Sequence, residues 1–184
     1  MAEIRAIGAN SSCDVLGGVA YAYAADYTDI DFDDITVDAS GVITDIGTNS
    51  AGAFKRLDFD DEGDVAFFNE TGERLNAAAT VYNGEGLAQF NGLDQDKITA
   101  AGLAGLCCGV VVIWVHYSGL RRVQGIDVNP STQAAQASKK KAVIVPDLNS
   151  GTGAESEVLV YHITHQGRYP SATTNMDDAT IEAL

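Results

Sequence analysis

The segment from Asp58 to Asp64 has the composition of a calcium-binding loop. Acidic side chains recur at Asp58, Asp60 and Glu62, and a glycine occupies the sixth position. Oxygen ligands in this pattern suit a hard cation such as Ca²⁺. The twelfth position is Asn69, however, where an EF-hand needs a bidentate acid, and the flanking residues favour strands over helices. We therefore interpret the segment as an acidic hairpin turn, with cation binding as the alternative.

A second acidic cluster precedes it in the chain. Its five aspartates are Asp26, Asp29, Asp31, Asp33 and Asp34. On a strand, alternating acids place several carboxylates on one face, which would also suit a cation. Like charges on a strand edge discourage wrong pairing, so a solvated edge or a contact with another subunit explains the cluster equally simply. We favour this second interpretation.

The histidines and cysteines form no recognisable metal or catalytic site. His162 and His165 are three positions apart, so on a strand they would face opposite sides and would not converge on zinc with Cys107 and Cys108. These adjacent cysteines lie in an apolar run, where burial lowers thiol reactivity. The chain has no G-x-S-x-G, G-x-G-x-x-G or Walker A motif. We predict no catalytic residue, no cofactor and no enzyme activity.

The composition indicates one β-rich domain over residues 1–184. Hydrophobic residues make up 46% of the chain, and 19 glycines suggest many turns between short strands. The net charge of −15 argues against binding of nucleic acid, although it suits a surface along which DNA slides without sticking. Acidity also serves solubility alone. Three cysteines and the lack of a secretory signal suggest free thiols in a reducing compartment.

The hydrophobic pattern predicts the positions of several strands. The uniformly apolar run Val110–Val115 predicts a central strand covered on both faces, and Leu120–Ile126 returns as its antiparallel partner. The pattern around Asp38–Gly41 predicts a hairpin. Leu75–Tyr82 is compatible with a strand that Gly84 and Gly86 are expected to break.

One helix is predicted over residues 94–107, with Asp94 as its N-cap. The uncharged stretch from Ile98 to Leu120 contains this helix and a strand, so we do not predict a membrane span. Residues 127–141 form a predicted polar loop that ends in three lysines, Lys139, Lys140 and Lys141. Residues 167–184 are predicted to be an extended tail with a short turn at its end.

The order of these features resembles the tail tube proteins of tailed bacteriophages, especially phages that infect Bacteroidota, including crAss-like phages. The resemblance covers Cys13 to Pro170 and depends on order more than on any one motif. It rests on the order of these features: Cys13, Leu16–Val19, the aromatic strand of Val19, Tyr21 and Tyr23, the acidic hairpin that follows it from Asp26, Phe54–Phe59, Val65–Thr71, the helix, Tyr117–Gly119, Arg122–Asp127, Glu157–Thr164 and Gly167–Pro170. The chain departs from the family in Leu120–Arg121 and in its long loop of Ala, Gln, Ser and Lys.

The resemblance implies a β-sandwich or β-barrel subunit with one flanking helix. Such subunits form hexameric rings whose strands close a continuous inner barrel, and the rings stack into a tube that conducts DNA. It implies a virion tail protein assembled in the bacterial cytoplasm, with copies of itself and other tail proteins as partners and no membrane contact. The aspartates from Asp26 to Asp34 would line the lumen or meet Lys139, Lys140 and Lys141 of a neighbour. A tail terminator or neck ring and a calcium-dependent β-sandwich binding module are the alternatives.

Overall fold

The alternating and β-branched runs of the sequence form strands, and the chain has a mainly β fold with a flanking helix, as predicted. The computed structural model describes residues 18–59, 65–76, 79–92, 94–104, 109–129, 137–139, 142–150 and 157–184. The strands, in chain order, are β1 Val19–Asp26, β2 Ile30–Val37, β3 Ile43–Thr48, β4 Lys55–Asp58, β5 Val65–Asn76, β6 Ala79–Asn91, β7 Val110–His116, β8 Arg121–Gln124, β9 Ile126–Val128, β10 Ala137–Lys139, β11 Ala142–Ser150, β12 Glu157–Gly167 and β13 Thr173–Thr174. The helices are α1 Gln95–Ala104 and α2 Asp178–Ala183.

Two sheets pack against each other in a β-sandwich-like arrangement. The seven-stranded sheet has the order β2-β3-β13-β8-β7-β1-β4, and the four-stranded sheet has the order β11-β12-β6-β5. Neighbouring strands are antiparallel except for β13 and β3, which are parallel. The strands β9 and β10 form a separate two-stranded sheet.

Strand β7 is the central strand that its sequence predicts. Every residue of Val110–Val115 is buried, and the strand pairs with β1 on one side and β8 on the other. Val112 and Trp114 pack in the cluster shared with the four-stranded sheet, whereas Ile113 lies in the other hydrophobic cluster, with Ile181 of α2. The strand therefore contributes to both hydrophobic clusters, which explains why its sequence is apolar without alternation.

Strands β5 and β6 form one long hairpin. The described residues of Leu75–Tyr82 lie in strands, as predicted, but they belong to two paired strands, and the predicted break at Gly84 and Gly86 is wrong. Strand β6 continues through Gly84 and Gly86 because these positions need to lack a side chain. A carbon added at Gly84 would overlap the ring of His165, and one at Gly86 would overlap the ring of Trp114. The glycines admit two large rings to the interior and do not end the strand.

Helix α1 begins as its sequence predicts. The Asp94 carboxylate accepts a hydrogen bond from the backbone N–H of Lys97 at 2.8 Å, the geometry of an N-cap. The structure describes the helix as far as Ala104, and residues 105–107 of the predicted helix lie outside the described residues. The uncharged stretch thus contributes α1 and β7, and neither helix in the described part of the chain has the length and apolar character needed to cross a membrane.

Two segments predicted to lack regular structure contain some. The ends of the predicted polar loop pair as β9 and β10. Strand β9 begins directly after the bend at Gly125, where φ is 102°, and its residue Val128 is buried. Residues 130–136 of that loop lie outside the described residues. The predicted extended tail contains β13 and the six-residue helix α2, which Asp177 caps by accepting from the backbone N–H of Thr180.

The C-terminal segment is held to the seven-stranded sheet by polar contacts. Asp178 accepts a hydrogen bond from the Tyr21 hydroxyl at 2.5 Å and from Arg121 at 2.8 Å. Burial alone would raise the pKa of Asp178, but these two donors outweigh it and lower the pKa below the ordinary value. Burial and a hydrogen bond to Glu182 raise the pKa of Tyr23 to about 12. Because β13 lies between β3 and β8, this segment also joins the β2–β3 hairpin to the rest of the sheet.

The Gly86→Ala substitution should destabilise the fold by about 1–3 kcal/mol, because the new methyl group overlaps the indole of Trp114. The matched control is Gly102→Ala in α1, where nothing lies within 4 Å of the added carbon. This control should stabilise the protein by up to about 1 kcal/mol through helix propensity. Urea denaturation of both variants measures the difference, and equal effects would contradict the proposed packing.

The Asp178→Asn substitution should lower stability at pH 7 and lose its effect in acid. A carboxyl with a depressed pKa in the folded state stabilises the protein above its unfolded pKa, about 3.9, and this stabilisation is lost as the pH falls through the folded-state value. The melting temperatures of the wild-type protein and the variant, measured between pH 7 and about pH 2.5, should therefore converge below about pH 4. A difference in melting temperature between the two proteins that stays constant over this range would mean that the charge of Asp178 does not stabilise the packing of α2 on the sheet.

Candidate functional site

The four-stranded sheet has one face in the core and one face that points away from the seven-stranded sheet. Alternate residues such as Phe68, Ala88 and Tyr161 are buried in the cluster between the sheets. The residues between them form the second face, which we call the outer face. It consists of Val65, Phe67, Asn69, Thr71 and Glu73 of β5, Val81, Asn83, Glu85, Leu87, Gln89 and Asn91 of β6, Val158, Val160, His162, Thr164 and Gln166 of β12, and Val143, Val145 and Asp147 of β11.

An uncharged, largely apolar band crosses the outer face. The pairing register places Val145, His162, Leu87 and Phe67 side by side on the four strands. The exposed fractions of Val145 and Phe67 are 53% and 39%. An antiparallel sheet with one solvated face normally carries polar residues there, so this band is unusual for a surface that meets only water.

The charges on the outer face are all of one sign. Glu73, Glu85 and Asp147 are acidic, and no lysine or arginine lies among the outer-face residues defined above. Glu85 pairs with Thr164 and Asp147 pairs with Val160, so these two acids lie on opposite sides of the band that contains His162. A face with acids and no bases repels phosphate groups and has no cationic donor for them.

Neither edge of the four-stranded sheet has a hydrogen-bonded neighbouring strand in the described part of the chain. The outermost strands are β5, with twelve residues, and β11, with nine. The backbone N–H and C=O groups on the outer side of an edge strand form a template for another strand. Pro146 lies on β11, and a proline within a sheet is compatible with an edge strand. No described strand pairs with either of these edges, and α1 packs beside β11.

A buried carboxylate lies on the inner side of this sheet. The Glu70 side chain is 4% exposed and makes a salt bridge of 2.5 Å with Arg122 of β8. The backbone N–H of Ser171 donates to both carboxylate oxygens at 3.0 Å, and its hydroxyl donates at 2.8 Å. The Nε2 atom of His165 lies 3.0 Å from the same carboxylate. Glu70 thus links β5, β12, β8 and the start of the C-terminal segment.

This cluster contains a serine, a histidine and a glutamate, but it lacks the geometry of a proton relay. Ser171 Oγ lies 3.5 Å from Nε2 of His165, and Glu70 faces that same nitrogen. In a catalytic triad the acid and the nucleophile contact different ring nitrogens. The Nδ1 atom of His165 is buried and has no hydrogen-bond partner among the described residues. The arrangement serves to pair a buried charge.

Sequence reasoning did not single out Glu70, Arg122 or Ser171. The available signal was the alternation of residues along β5. Ala66, Phe68 and Glu70 occupy every second position, so Glu70 points into the core together with the two apolar residues. An acid in phase with buried residues requires a buried cationic or hydrogen-bonding partner. The sequence does not indicate which residue supplies it, since Arg122 is 52 positions away.

The predicted aspartate cluster lies away from the outer face. Asp26 caps a short 3₁₀ turn by accepting from the backbone N–H of Thr28 at 2.9 Å, and Asp29 belongs to that turn. Asp31, Asp33 and Asp34 lie on β2, the outermost strand of the seven-stranded sheet.

The remaining predicted site residues are only partly described. The strand that ends at Lys139, β10, packs beside β2 within the same chain, while Lys140 and Lys141 lie outside the described residues. Asp58 pairs with Arg56 at 2.6 Å, and Asp60 and Glu62 also lie outside the described residues. Among the residues that the structure describes, no three His, Cys, Asp or Glu side chains converge as metal ligands do.

The Glu70→Gln substitution should destabilise the protein by about 2–3 kcal/mol, because it removes the charge that neutralises Arg122 and places an amide N–H against the donors of Ser171. The matched control is Glu73→Gln on the same strand, which is exposed and should change stability by less than about 0.5 kcal/mol. Chemical denaturation compares the two, and a loss no larger than that of the control would contradict the role of Glu70.

Comparison with known proteins identifies no relative of the chain. No protein-family model matches it, and no curated protein and no solved structure matches it.

Proposed function

We propose that the chain is a structural subunit of a bacteriophage tail tube, which assembles with copies of itself into hexameric rings that stack around a DNA-conducting lumen. The observation that carries this proposal is the four-stranded sheet, whose edge strands β5 and β11 have no paired neighbour in the described part of the chain and whose outer-face residues include acids but no lysine or arginine. In this role the protein belongs to the virion tail and assembles in the host cytoplasm. The order of sequence features that resembles tail tube proteins gives independent support.

The open edges supply a route to the ring. If β5 of one copy pairs with β11 of the next, the four-stranded sheets of neighbouring copies form one continuous sheet. Repeating the contact around an axis closes the sheet into a barrel, which removes every open edge. Such a contact joins two different surfaces, so it closes into a ring when the rotation allows it.

The outer face supplies the lumen. When the inner face of each sheet packs against its own seven-stranded sheet, the outer face is the one left to line the barrel. Duplex DNA carries one negative charge for about every 1.7 Å of its axis, so a cationic lining would hold it. Glu73, Glu85 and Asp147 repel phosphates, and the band around Leu87 contains no lysine or arginine with which to bind them.

The same arrangement gives the aspartate cluster a different role. Asp31, Asp33 and Asp34 lie on the seven-stranded sheet, which would surround the barrel. In this proposal the cluster serves contacts between subunits or the outer surface, and the lumen charge comes from Glu73, Glu85 and Asp147.

Electron microscopy of the purified chain tests the proposal directly. We expect open-ended tubes, or rings that convert to tubes as the protein concentration rises, with a central channel wide enough for duplex DNA. Single closed rings that never stack would indicate a tail terminator or neck ring. A protein that stays monomeric by analytical ultracentrifugation at high concentration and in the presence of salt would exclude the proposal.

Charge reversal identifies the lumen face. Tubes assembled from the Glu85→Lys, Asp147→Lys double variant in the presence of short duplex DNA should retain the DNA, and rising salt should release it. The matched control is Asp33→Lys, Asp34→Lys, which changes the net charge equally but lies on β2. This control should retain little DNA inside the tube. Equal retention by both variants would mean that the outer face does not line the lumen.

A further inference from the structure

The two edge strands of the four-stranded sheet differ in length and are offset from each other. Strand β5 has twelve residues and β11 has nine. The pairing register across the sheet places Asp147 level with Val65 and Ala142 level with Glu70. The rest of β5, from Thr71 to Asn76, therefore extends past the start of β11.

This offset determines how completely a second copy can pair with the sheet. Strands β5 and β11 run antiparallel, because each of the three neighbouring pairs between them is antiparallel, and a rotation about a ring axis preserves that direction. If the rows of one copy continued level into the next, only Val65–Glu70 of β5 would pair with β11. Every residue of β11 gains a partner only when β11 is shifted along β5 by three to six residues toward Asn76.

Two further features narrow the shift. Side chains alternate between the faces of a sheet, so an odd shift would place core side chains of one copy beside outer-face side chains of the next. Shifts of four and six residues therefore remain. A shift of six would pair Ala142 with Asn76 and would include the irregularity of β5 between Arg74 and Asn76, whereas a shift of four ends at Arg74.

The geometry of a closed barrel requires the same shift. Four strands about 4.8 Å apart make each copy about 19 Å wide, and a shift of four residues displaces the strands by about 14 Å. This ratio corresponds to a strand tilt of about 35°, within the range of about 35–45° that barrels have, whereas a shift of two residues gives only about 20°. The result does not depend on the number of copies, because each copy adds the same width and the same shift.

A shift of four residues also suits the charges on the outer face. Asp147 of one copy would lie opposite Asn69 of the next, and Glu73 would lie opposite the uncharged Val143. The Asn69 amide can donate a hydrogen bond to the Asp147 carboxylate, and no two acids face each other directly.

Helix α1 is compatible with this contact. Its buried Ala101 lies in the hydrophobic cluster between the sheets, against which Ile144 of β11 also packs, and the helix contacts β12 as well as β11. The helix therefore packs on the inner face of these strands, whereas the hydrogen bonds to a neighbouring strand form in the plane of the sheet. Pro146 has no N–H, so the new ladder would lack one donor at that position.

We propose that β5 of one copy pairs with β11 of the next copy with a shift of four residues, so that Thr71 faces Val145 and Asn69 faces Asp147. This inference rests on the proposed function, and it specifies the register of the contact that closes the ring. The lengths of the edge strands and the tilt of a closed barrel require the same shift for different reasons.

Paired cysteine substitutions measure the register directly. Thr71→Cys with Val145→Cys should form disulfide-linked chains of subunits on mild oxidation, because a disulfide needs its two Cβ atoms within about 4.5 Å. Phe67→Cys with Val145→Cys represents the unshifted register, and Glu73→Cys with Val145→Cys represents a shift of six. Each of these two pairs should give at least about fivefold less linked protein on a non-reducing gel. Circular dichroism confirms that the variants are folded.

The controls exclude other disulfides. Thr71 and Val145 of one copy lie on strands that β6 and β12 separate, so a bond between them joins two copies. The three native cysteines are present in every variant, and the wild-type protein and the single variants measure their background. A higher yield from the pair with Phe67→Cys or Glu73→Cys than from the pair with Thr71→Cys would overturn the proposed register.

A charge placed in the contact provides a second test. Asn69→Asp should lower the fraction of protein that sediments as rings by about threefold, because it places two carboxylates opposite each other, and Asp147→Asn in the same chain should restore the rings. The matched control is Asn83→Asp on β6, which adds the same charge to the outer face away from both edges and should change the fraction much less. An equal loss in Asn69→Asp and Asn83→Asp would overturn the pairing of Asn69 with Asp147.

The outcomes separate this inference from the proposed function. Wild-type protein that forms no rings rejects both. Rings that Thr71→Cys with Val145→Cys fails to cross-link reject only the register. Cross-linked rings that never stack support the register and reject the tube.

Discussion

The arrangement of the two sheets depends on one buried charge. The Glu70 carboxylate lies almost without solvent between the sheets, and a charge in such a place is tolerated only when paired and fully hydrogen-bonded. Its partners come from β8, β12 and the C-terminal segment. The position of Arg122 is supported in turn by its guanidinium, which lies 4.5 Å from the centre of the Phe68 ring. Removal of the charge would leave an arginine without its counterion at the junction of three elements.

This constraint also determines which face of the four-stranded sheet points outward. Glu70 points inward, so its neighbours Asn69 and Thr71 point outward, and the register carries this choice to every strand of the sheet. A slip of one residue would expose Glu70 and bury the acidic outer face. His165 reaches Glu70 only because Gly84 has no side chain where the imidazole lies. The exposed apolar band and the buried ion pair are thus two consequences of one register.

The sequence predicts individual elements well where a local pattern determines them. The β7 strand follows from an unbroken run of apolar, largely β-branched residues, and the start of α1 follows from one capping aspartate. The sequence does not predict the continuous β6 strand, because glycine normally interrupts strands, whereas Gly84 and Gly86 are required by rings from β12 and β7. That requirement arises from tertiary contacts, so no window of neighbouring residues contains it.

The candidate site was harder to predict for the same reason. Clusters of acids are conspicuous in a sequence, and the five aspartates around β2 attracted the lumen prediction. Glu73, Glu85 and Asp147 are scattered over three strands, and only the pairing register brings them to one face. Their common property is also an absence, since no base accompanies them on the outer face as it is defined here. A missing charge type on a surface cannot be recognised before the surface is known.

Open edges and an exposed apolar band would normally favour unspecific aggregation, and the charge of the chain opposes it. Two copies that approach at random meet a net repulsion, because each carries a charge of −15. Repulsion between solvent-exposed charges is screened beyond about 8 Å at physiological salt, so it acts on encounters more than on a docked contact. A contact that buries apolar surface and completes a hydrogen-bonded ladder can overcome it, whereas a poorly fitted one cannot. In the proposed tube, the acidity that would keep DNA from adhering to the outer face would therefore also select the regular assembly over disordered ones.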